Sequence, residues 1–188
     1  MTNPVLDRAA RLKALEGKRD LAAALALFDA LPPVTVEEMI GSWRGSTVET
    51  GNPLDGSLEA NGWRGKRFDG PDLAHPLVFE DARGVFSVDP AGVMSSTASQ
   101  HSDLSDPKPS ASDTQALLRQ HHTTDPKARL RMMEYRGVVT GTMSYDALPI
   151  NDHFRKIDDD TLLGAMDQRD VDAPFIFLLR RDASQALH

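Results

Sequence analysis

The side chains able to do chemistry in this chain are carboxylates, histidines, tyrosines and basic residues set among apolar ones. In the segment Ile150 to Ile157, even-numbered and odd-numbered residues form the two faces of a strand, and each face mixes charged with apolar side chains. A half-buried strand normally shows one clean apolar face. A charged group on a mostly apolar face is costly unless it is paired. The pattern therefore indicates either ion pairs or a polar spot inside the protein.

Two interpretations of these charges remain open. In the first, they form ion pairs at the rims of a barrel, with Glu134 paired to Arg136 or Lys156 and Asp152 paired to Arg136. In the second, some of them line a cavity and orient the polar group of a ligand. The ligand-binding residues predicted by the second interpretation are Trp63, Lys66, His75, Glu134, Tyr145, Asp152 and His153.

Metal and cofactor sites are not expected. The six histidines show no spacing typical of a zinc site, and the chain has no cysteine to supply a thiolate. The run Asp158 to Asp160 lacks the spacing and the glycine of a calcium loop. A haem bound through one imidazole would use His153 or His75, but no other feature favours it. We predict neither a metal nor a cofactor.

The composition is that of a globular protein with an acidic balance. The chain has 188 residues, of which 40% are hydrophobic and 26% charged, and its formal charge is −7. This charge disfavours nucleic acids and anionic membranes as partners, because both attract basic surfaces. No apolar run is long enough to span a bilayer and no signal peptide is evident, so we expect no integral membrane association. With the absence of cysteine this indicates a cytoplasmic location, and a homodimer is left open.

The elements that must position these side chains change from helical to extended at Gly41. Apolar residues recur at helical spacing from Pro4 to Gly17, and again after Asp20 as far as Leu31. Residues 35–38, Thr-Val-Glu-Glu, form a capping box for one further turn of helix that Gly41 ends. Residues 1–40 are therefore predicted as a helical lead-in.

From residue 41 to residue 188 the pattern predicts a barrel domain. The predicted strands are Trp43–Thr50, Pro76–Glu80, Gly84–Asp89, Ala128–Tyr135, Val138–Tyr145, Ile150–Ile157, Thr161–Met166 and Pro174–Arg181. Seven or eight short strands with no helices between them favour an antiparallel barrel or sandwich, and a barrel removes exposed strand edges. The polar stretch at about 93–124 is predicted to be a long mobile loop with a short helix at Thr114 to Gln120.

An ordered series of motifs resembles a known family. The first is Gly-Ser-Trp-Arg-Gly at 41–45, directly after the short helix. The others follow along the chain at Thr50–Gly56, Gly62–Phe68, His75–Phe79, Ala128–Gly137, Tyr145–Asp152, Phe154–Gly164 and Phe175–Arg181. From Leu21 to Asp182 the chain resembles the GXWXG domain followed by the domain of unknown function 4334. This membership implies little about chemistry.

The short helix followed by Gly-x-Trp also resembles the opening of lipocalins and nitrobindin-like barrels. That resemblance implies that Trp43 lies at the closed end of a barrel and that Arg180 or Arg181 stacks across its indole. The expected fold is mainly β, a single antiparallel lipocalin-like β-barrel preceded by N-terminal helices. Small barrels of this kind are filled by side chains or hold one small ligand.

Three functions fit this fold, and the first is preferred. It is the binding of a small hydrophobic or amphipathic molecule, such as a fatty acid, lipid or similar metabolite, in the barrel cavity. The second is a cofactor-independent lyase, isomerase or cyclase. In it a buried carboxylate would transfer protons together with His153 or a tyrosine. Exposure of both Glu134 and Asp152 to solvent would argue against this enzyme. The third is an interaction module whose barrel is packed solid.

Overall fold

The computed structural model describes residues 4–100 and 110–184. The helices are α1 (Pro4–Lys13), α2 (Leu21–Ala30), α3 (Val36–Met39), α4 (Pro90–Gln100) and α5 (Ala111–Gln120). The strands are β1 (Gly41–Thr47), β2 (Trp63–Gly70), β3 (Leu73–Asp81), β4 (Gly84–Val88), β5 (His122–Thr123), β6 (Ala128–Tyr135), β7 (Val138–Tyr145), β8 (Ile150–Asp158), β9 (Thr161–Gln168) and β10 (Phe175–Arg181). A short 3₁₀ turn at Glu59–Asn61 precedes β2.

Within the described residues, ten antiparallel strands form one sheet, and eight of them close into a ring. The ring runs β1-β2-β3-β6-β7-β8-β9-β10, and β10 pairs back to β1. The remaining two strands extend the sheet beyond β3. The closure between β3 and β6 is short, with Ala74 opposite Ala128. The prediction of a mainly β barrel with N-terminal helices is confirmed.

The barrel has two apolar clusters because several strands are buried on both faces. Inside the ring lie residues such as Phe68, Met143, Phe154 and Phe177, which belong to one continuous cluster. On the outside, α1 and α2 cover strands β8 to β10, and Phe28 belongs to this second cluster. Burial on both faces explains the nearly continuous apolar run of β10.

The N-terminal helices begin at the capping residues that the sequence indicated. The Asp20 carboxylate accepts a hydrogen bond from the Ala23 N–H at 2.9 Å. Thr35 and Glu38 satisfy each other's backbone donors, at 2.8 and 3.3 Å, so the predicted capping box is confirmed. Among the described residues, no helix is both long and apolar enough to cross a membrane.

In the stretch at about 93–124 the predicted short helix at Thr114 to Gln120 is confirmed by α5, whereas the predicted long loop around it is wrong for the part that the structure describes. Helix α4 begins at Pro90, before the predicted loop, and α5 covers residues 111–120. Ser110 and Asp113 form a capping box at the start of α5, and Leu118 packs into the interior cluster. Helices therefore do occur between strands, and residues 101–109 of the predicted loop lie outside the described residues. Strand β2 was also missing from the predicted strands.

One end of the barrel is closed by Trp43, α3 and Arg181. The Trp43 indole N–H donates to the Met39 carbonyl at 2.7 Å. The Arg181 guanidinium carbon lies 4.2 Å from the centre of the Trp43 ring. Arg181 is directly opposite Trp43 across the β1–β10 ladder, whereas Arg180 is displaced by one residue and donates to Ser46 Oγ at 3.2 Å. Of the two arginines predicted to stack, Arg181 does so.

We expect Arg181→Met to lower the free energy of unfolding by about 1–2 kcal/mol, because it removes the cation–π contact and the hydrogen bonds to the Ile40 and Glu38 carbonyls. Arg180→Met, one residue away and exposed, should change it by less than about 0.5 kcal/mol. Urea unfolding followed by tryptophan fluorescence measures both. Equal effects of the two variants would contradict a closing role for Arg181.

Candidate functional site

A buried ion pair crosses the interior of the barrel. Lys66 of β2 and Asp152 of β8 place Nζ and Oδ2 2.8 Å apart, and their side chains are 4% and 0% exposed. The two strands lie opposite each other in the ring, so the contact spans it. The Lys66 ammonium also donates to the Pro76 carbonyl at 2.9 Å. Two charges are thus held at the centre of an apolar core.

Aromatic rings surround this ion pair. The Lys66 Nζ lies 5.1 Å from the centre of the Phe177 ring and 5.8 Å from that of Tyr145. Trp63 packs edge-on against Phe177 at 6.1 Å, and its indole N–H donates to the Gly65 carbonyl at 3.0 Å. Ring faces stabilise the ammonium and exclude water from it.

Burial shifts the acid groups of this cluster towards their neutral forms. Desolvation raises the pKa of Asp152, although the nearby Lys66 and Tyr145 oppose the rise. Burial, together with the Asp152 carboxylate, raises the pKa of Tyr145 well above its ordinary value. Lys66 and Tyr145 both lie close to Asp152. Even so, neither carboxylate oxygen of Asp152 accepts a well-aligned hydrogen bond from the described residues. The carboxylate therefore has unused acceptor capacity.

A pocket of about 240 Å³ opens at the end of the barrel opposite Trp43. We call it the mouth pocket; its lining is Asp89, Pro90, Ala91, Pro126, Lys127, Tyr145, Asp146, Ala147 and Leu148. Tyr145 is shared, since it lines the pocket and also interacts with Asp152. It stands between the pocket and the ion pair.

Four of the seven predicted ligand-binding residues come together, and three do not. Trp63, Lys66, Tyr145 and Asp152 form the interior cluster just described. The three that do not join it are His75, His153 and Glu134.

These three corrections follow from strand alternation. His153 follows the inward Asp152 and therefore points outwards, against the ring of Tyr135. His75 is opposite Arg67 on the outer face and lies 2.9 Å from its guanidinium. Glu134 is exposed near the end of β6. The ring closes through β2, which was not recognised as a strand, so alternation in one strand alone could not assign the faces.

The predicted ion pairs of Glu134 and Asp152 are also wrong. Arg136 binds Asp29 of α2 through two hydrogen bonds of 2.6 and 2.7 Å. Lys156 binds Glu38 at 2.7 Å. These basic side chains do form ion pairs at the barrel surface, with Asp29 and Glu38 of the helical lead-in and, for Lys156, also with Asp159 at 2.8 Å.

His153 is held neutral on the outer face. Its ring stacks on Tyr135 at 3.9 Å, and Nδ1 lies 2.9 Å from the Thr142 hydroxyl. Burial, reinforced by the charge of Arg155 and only partly opposed by Asp167, lowers the pKa of His153 to about 4. This packing is a structural role, and it replaces the predicted place in the ligand site.

We expect His153 to make the fold acid-sensitive. The pKa of His153 is about 4 in the folded chain, whereas the ordinary pKa of histidine is 6.5, so only the unfolded chain gains a proton between these pH values. The free energy of unfolding should then fall by about 3 kcal/mol as the pH drops from 6.5 to 4. Urea unfolding at several pH values measures this, and His153→Phe should flatten that part of the profile.

The matched control for the pH profile is His122→Gln, which removes an exposed histidine. It should keep the wild-type slope between pH 6.5 and 4. A His153→Phe profile as steep as the wild type would assign the acid sensitivity to other groups, such as His75, whose pKa burial also lowers.

The sequence reasoning missed two parts of the site, Phe177 and the Pro76 carbonyl. Phe177 is one residue of a continuous apolar strand, so no alternation marks it as inward. Every residue has a backbone carbonyl, so the sequence does not show which carbonyl lies in the site. The described part of the chain contains no group of three or more histidine or carboxylate side chains arranged to hold a metal ion, and His101 and His188 lie outside it.

Comparisons with known proteins show the family and the fold of this chain. The GXWXG protein family matches residues 26–84, and the domain of unknown function DUF4334 matches residues 126–181. The chain belongs to this two-part family. A crystal structure of a protein from Thermomonospora curvata is similar at 30% identity and a TM-score of 0.67; the match covers 94% of this chain and 99% of that one. A search of curated proteins gives no significant match.

The structure gives the GXWXG motif a physical meaning. A side chain at Gly45, the last glycine of the motif, would overlap the indole ring of Trp63. The motif tryptophan, Trp43, closes one end of the barrel, and the glycine admits a second tryptophan near the other. The two halves of the family meet at the ion pair, because Lys66 belongs to the GXWXG match and Asp152 to the DUF4334 match.

Proposed function

We propose that this protein binds a small amphipathic molecule at the mouth pocket, with the polar group of the ligand directed towards Tyr145 and the ion pair behind it. The observation that carries the proposal is the Lys66–Asp152 pair, fully buried among aromatic rings. Taking two charges out of water costs several kcal/mol per ion, and apolar residues of similar volume often stabilise a fold as well. A polar centre in this place favours a role beyond stability.

The mouth pocket supports the proposal by its size and its lining. A volume of about 240 Å³ lies just below the range of about 300–1,000 Å³ that is usual for small-molecule sites, which favours a small ligand. Apolar Pro90, Ala147 and Leu148 line it together with three charged residues, Asp146 and the ion pair of Asp89 and Lys127 at 3.5 Å. Apolar side chains combined with a few polar groups that orient the ligand are typical of such sites.

A cytoplasmic location and a lipocalin-like use of the barrel are parts of the same proposal. A chain without cysteine needs no oxidising compartment to fold. Binding at the mouth of one barrel requires no second copy of the chain.

The proposal is tested by thermal unfolding with 1-octanol, 2-naphthol and octanoate as probes. A ligand that binds the folded chain raises its melting temperature, by an amount equivalent to about 2.7 kcal/mol at one hundred times its Kd. Ala147→Trp, a change at an exposed pocket residue, should fill the pocket and remove the shift. Ala173→Trp, exposed and outside the pocket, should leave it intact.

Two results together would overturn the proposal. One is the absence of any shift with all three probes. The other is native mass spectrometry of the purified protein that finds no retained small molecule. A shift that persists in Ala147→Trp would move the binding site away from the mouth pocket.

A second candidate function is proton transfer, and the buried Asp152 favours it. Glu134 is exposed, but Asp152 is fully buried, its pKa is raised, and Tyr145 couples it to the pocket. A carboxylate in such surroundings can act as a general base. In D₂O, the wild type should then exchange the α-protons of β-tetralone, as followed by NMR, whereas Asp152→Asn should not. Asp167→Asn is the control, and exchange no faster than in buffer would remove this candidate.

A further inference from the structure

Most hydrogen-bond donors of the interior cluster are directed at groups of the protein. An ammonium carries three donors. One of those of Lys66 is used by the Pro76 carbonyl, one faces Asp152 at 2.8 Å, and the remaining side of the group is covered by the Phe177 and Tyr145 rings. The Tyr145 hydroxyl has one proton to donate. The Asp152 carboxylate, whose charge raises the pKa of Tyr145, is the negatively charged acceptor beside it.

The same cluster has acceptors in excess. A carboxylate offers about four lone-pair positions. Lys66 and Tyr145 can fill at most two of those on Asp152, and neither is aligned well enough to do so fully. Tyr145 is one of the residues that line the mouth pocket, and its hydroxyl oxygen keeps its lone pairs when its proton is directed to Asp152. The polar group of a ligand therefore meets acceptors.

The charge of the cluster is already balanced. Lys66 and Asp152 neutralise each other at 2.8 Å. A ligand carboxylate would bring a second negative charge towards Asp152, and a ligand ammonium would bring a second positive charge towards Lys66. Because the pair is already neutral, it gives either ion little net attraction to offset the cost of leaving water. Both kinds of ligand are disfavoured.

From this balance we infer that the ligand is an uncharged alcohol or phenol, whose hydroxyl donates a hydrogen bond into the Tyr145–Asp152 pair. The inference rests on the proposed function and narrows it. It also excludes the fatty acids that the sequence analysis considered as ligands, because their head group is an anion at neutral pH.

Three probes of the same apolar body test this inference: 2-naphthol, 2-methoxynaphthalene and 2-naphthoate. Isothermal titration calorimetry at neutral pH gives the three values of Kd. A hydroxyl donating to a charged acceptor is expected to bind about tenfold more tightly, or more, than the ether that lacks the donor. The naphthoate should be the weakest of the three.

Asp152→Asn and Asp167→Asn form the matched pair of variants. An amide at position 152 supplies donors of its own, so the preference for the naphthol over the ether should fall below about threefold. Asp167 is exposed at the outer surface, and its replacement should keep the full preference. The comparison among the three probes in the wild type stands even where Asp152→Asn folds poorly.

The outcomes separate this inference from the function on which it rests. If the ether or the naphthoate binds as tightly as the naphthol, the inference is overturned while binding at the mouth stands. If none of the three binds, this inference is overturned, and the proposed function falls with it when its own probes also give no shift and native mass spectrometry finds no retained molecule. A preference that Asp152→Asn leaves at full strength would place the recognising acceptor elsewhere.

Discussion

Lys66→Met is expected to lower the free energy of unfolding by about 3–5 kcal/mol. The substitution keeps the length of the side chain but leaves Asp152, which is completely buried, without its cation. An unpaired charge in an apolar interior is the costly state, and the aromatic rings around it offer no replacement. Urea unfolding of the wild type and the variant measures the difference.

The double variant Lys66→Met with Asp152→Leu should recover most of this loss, because it removes both charges together. Lys156→Met, at a half-buried lysine paired with Glu38 and Asp159, is the control and should cost less than about 1 kcal/mol. If Lys66→Met lowers the free energy of unfolding no more than this control does, the buried pair of Lys66 and Asp152 does not interact as strongly as its burial implies.

The loss in Lys66→Met should also depend on pH, with a predictable sign. Burial already raises the pKa of Asp152, and removing Lys66 takes away the largest opposing effect. The folded variant then binds a proton more tightly than the unfolded chain does, so its stability falls as the pH rises above the ordinary range of aspartate. The gap between variant and wild type should be smallest in acid.

Gly65→Ala is expected to cost about 4 kcal/mol or more. Gly65 lies in β2 with a φ of +142°, a conformation that residues with a side chain rarely adopt. A Cβ there would overlap the backbone of Trp43 and Gly45 in the neighbouring strand. Backbone atoms of a paired strand cannot move aside as a flexible side chain can, so we expect the β1–β2 ladder to separate locally.

Gly137→Ala is the control that separates the steric overlap of the added Cβ from the cost of the positive φ. Gly137 also has a positive φ, of +76°, but a Cβ there meets nothing within 4 Å. Its replacement should therefore show only the conformational penalty, about 1–2 kcal/mol. Thermal and urea unfolding of the two variants would contradict the steric explanation if both lost the same stability.

The barrel could be predicted from sequence because its evidence is local. Strands β6 to β10 are short segments bounded by turn residues, β10 is nearly continuously apolar, and each pattern is complete within about ten residues. Strand β2 could not be recognised in this way. Its sequence, Trp-Arg-Gly-Lys-Arg-Phe-Asp-Gly, is dominated by charges and glycines, and it becomes a strand because two neighbours pair with it.

The sequence did not predict α4, and it predicted only residues 114–120 of α5. Their polar composition resembles a loop, and only the capping box at Ser110 and Asp113 and the buried Leu118 distinguish α5. An amphipathic helix that covers the end of a barrel needs few apolar residues, so hydrophobic periodicity is a weak guide to it.

The sequence by itself determined the periodicities and with them the class of fold, the helical lead-in, and the set of polar residues that burial would make costly. Only the tertiary structure decided which of those residues meet. Lys66 and Asp152 are distant along the chain and lie on opposite sides of the ring, and one residue of register separates the inward Asp152 from the outward His153. Closing the ring sets that register, because every strand must fit two neighbours at once.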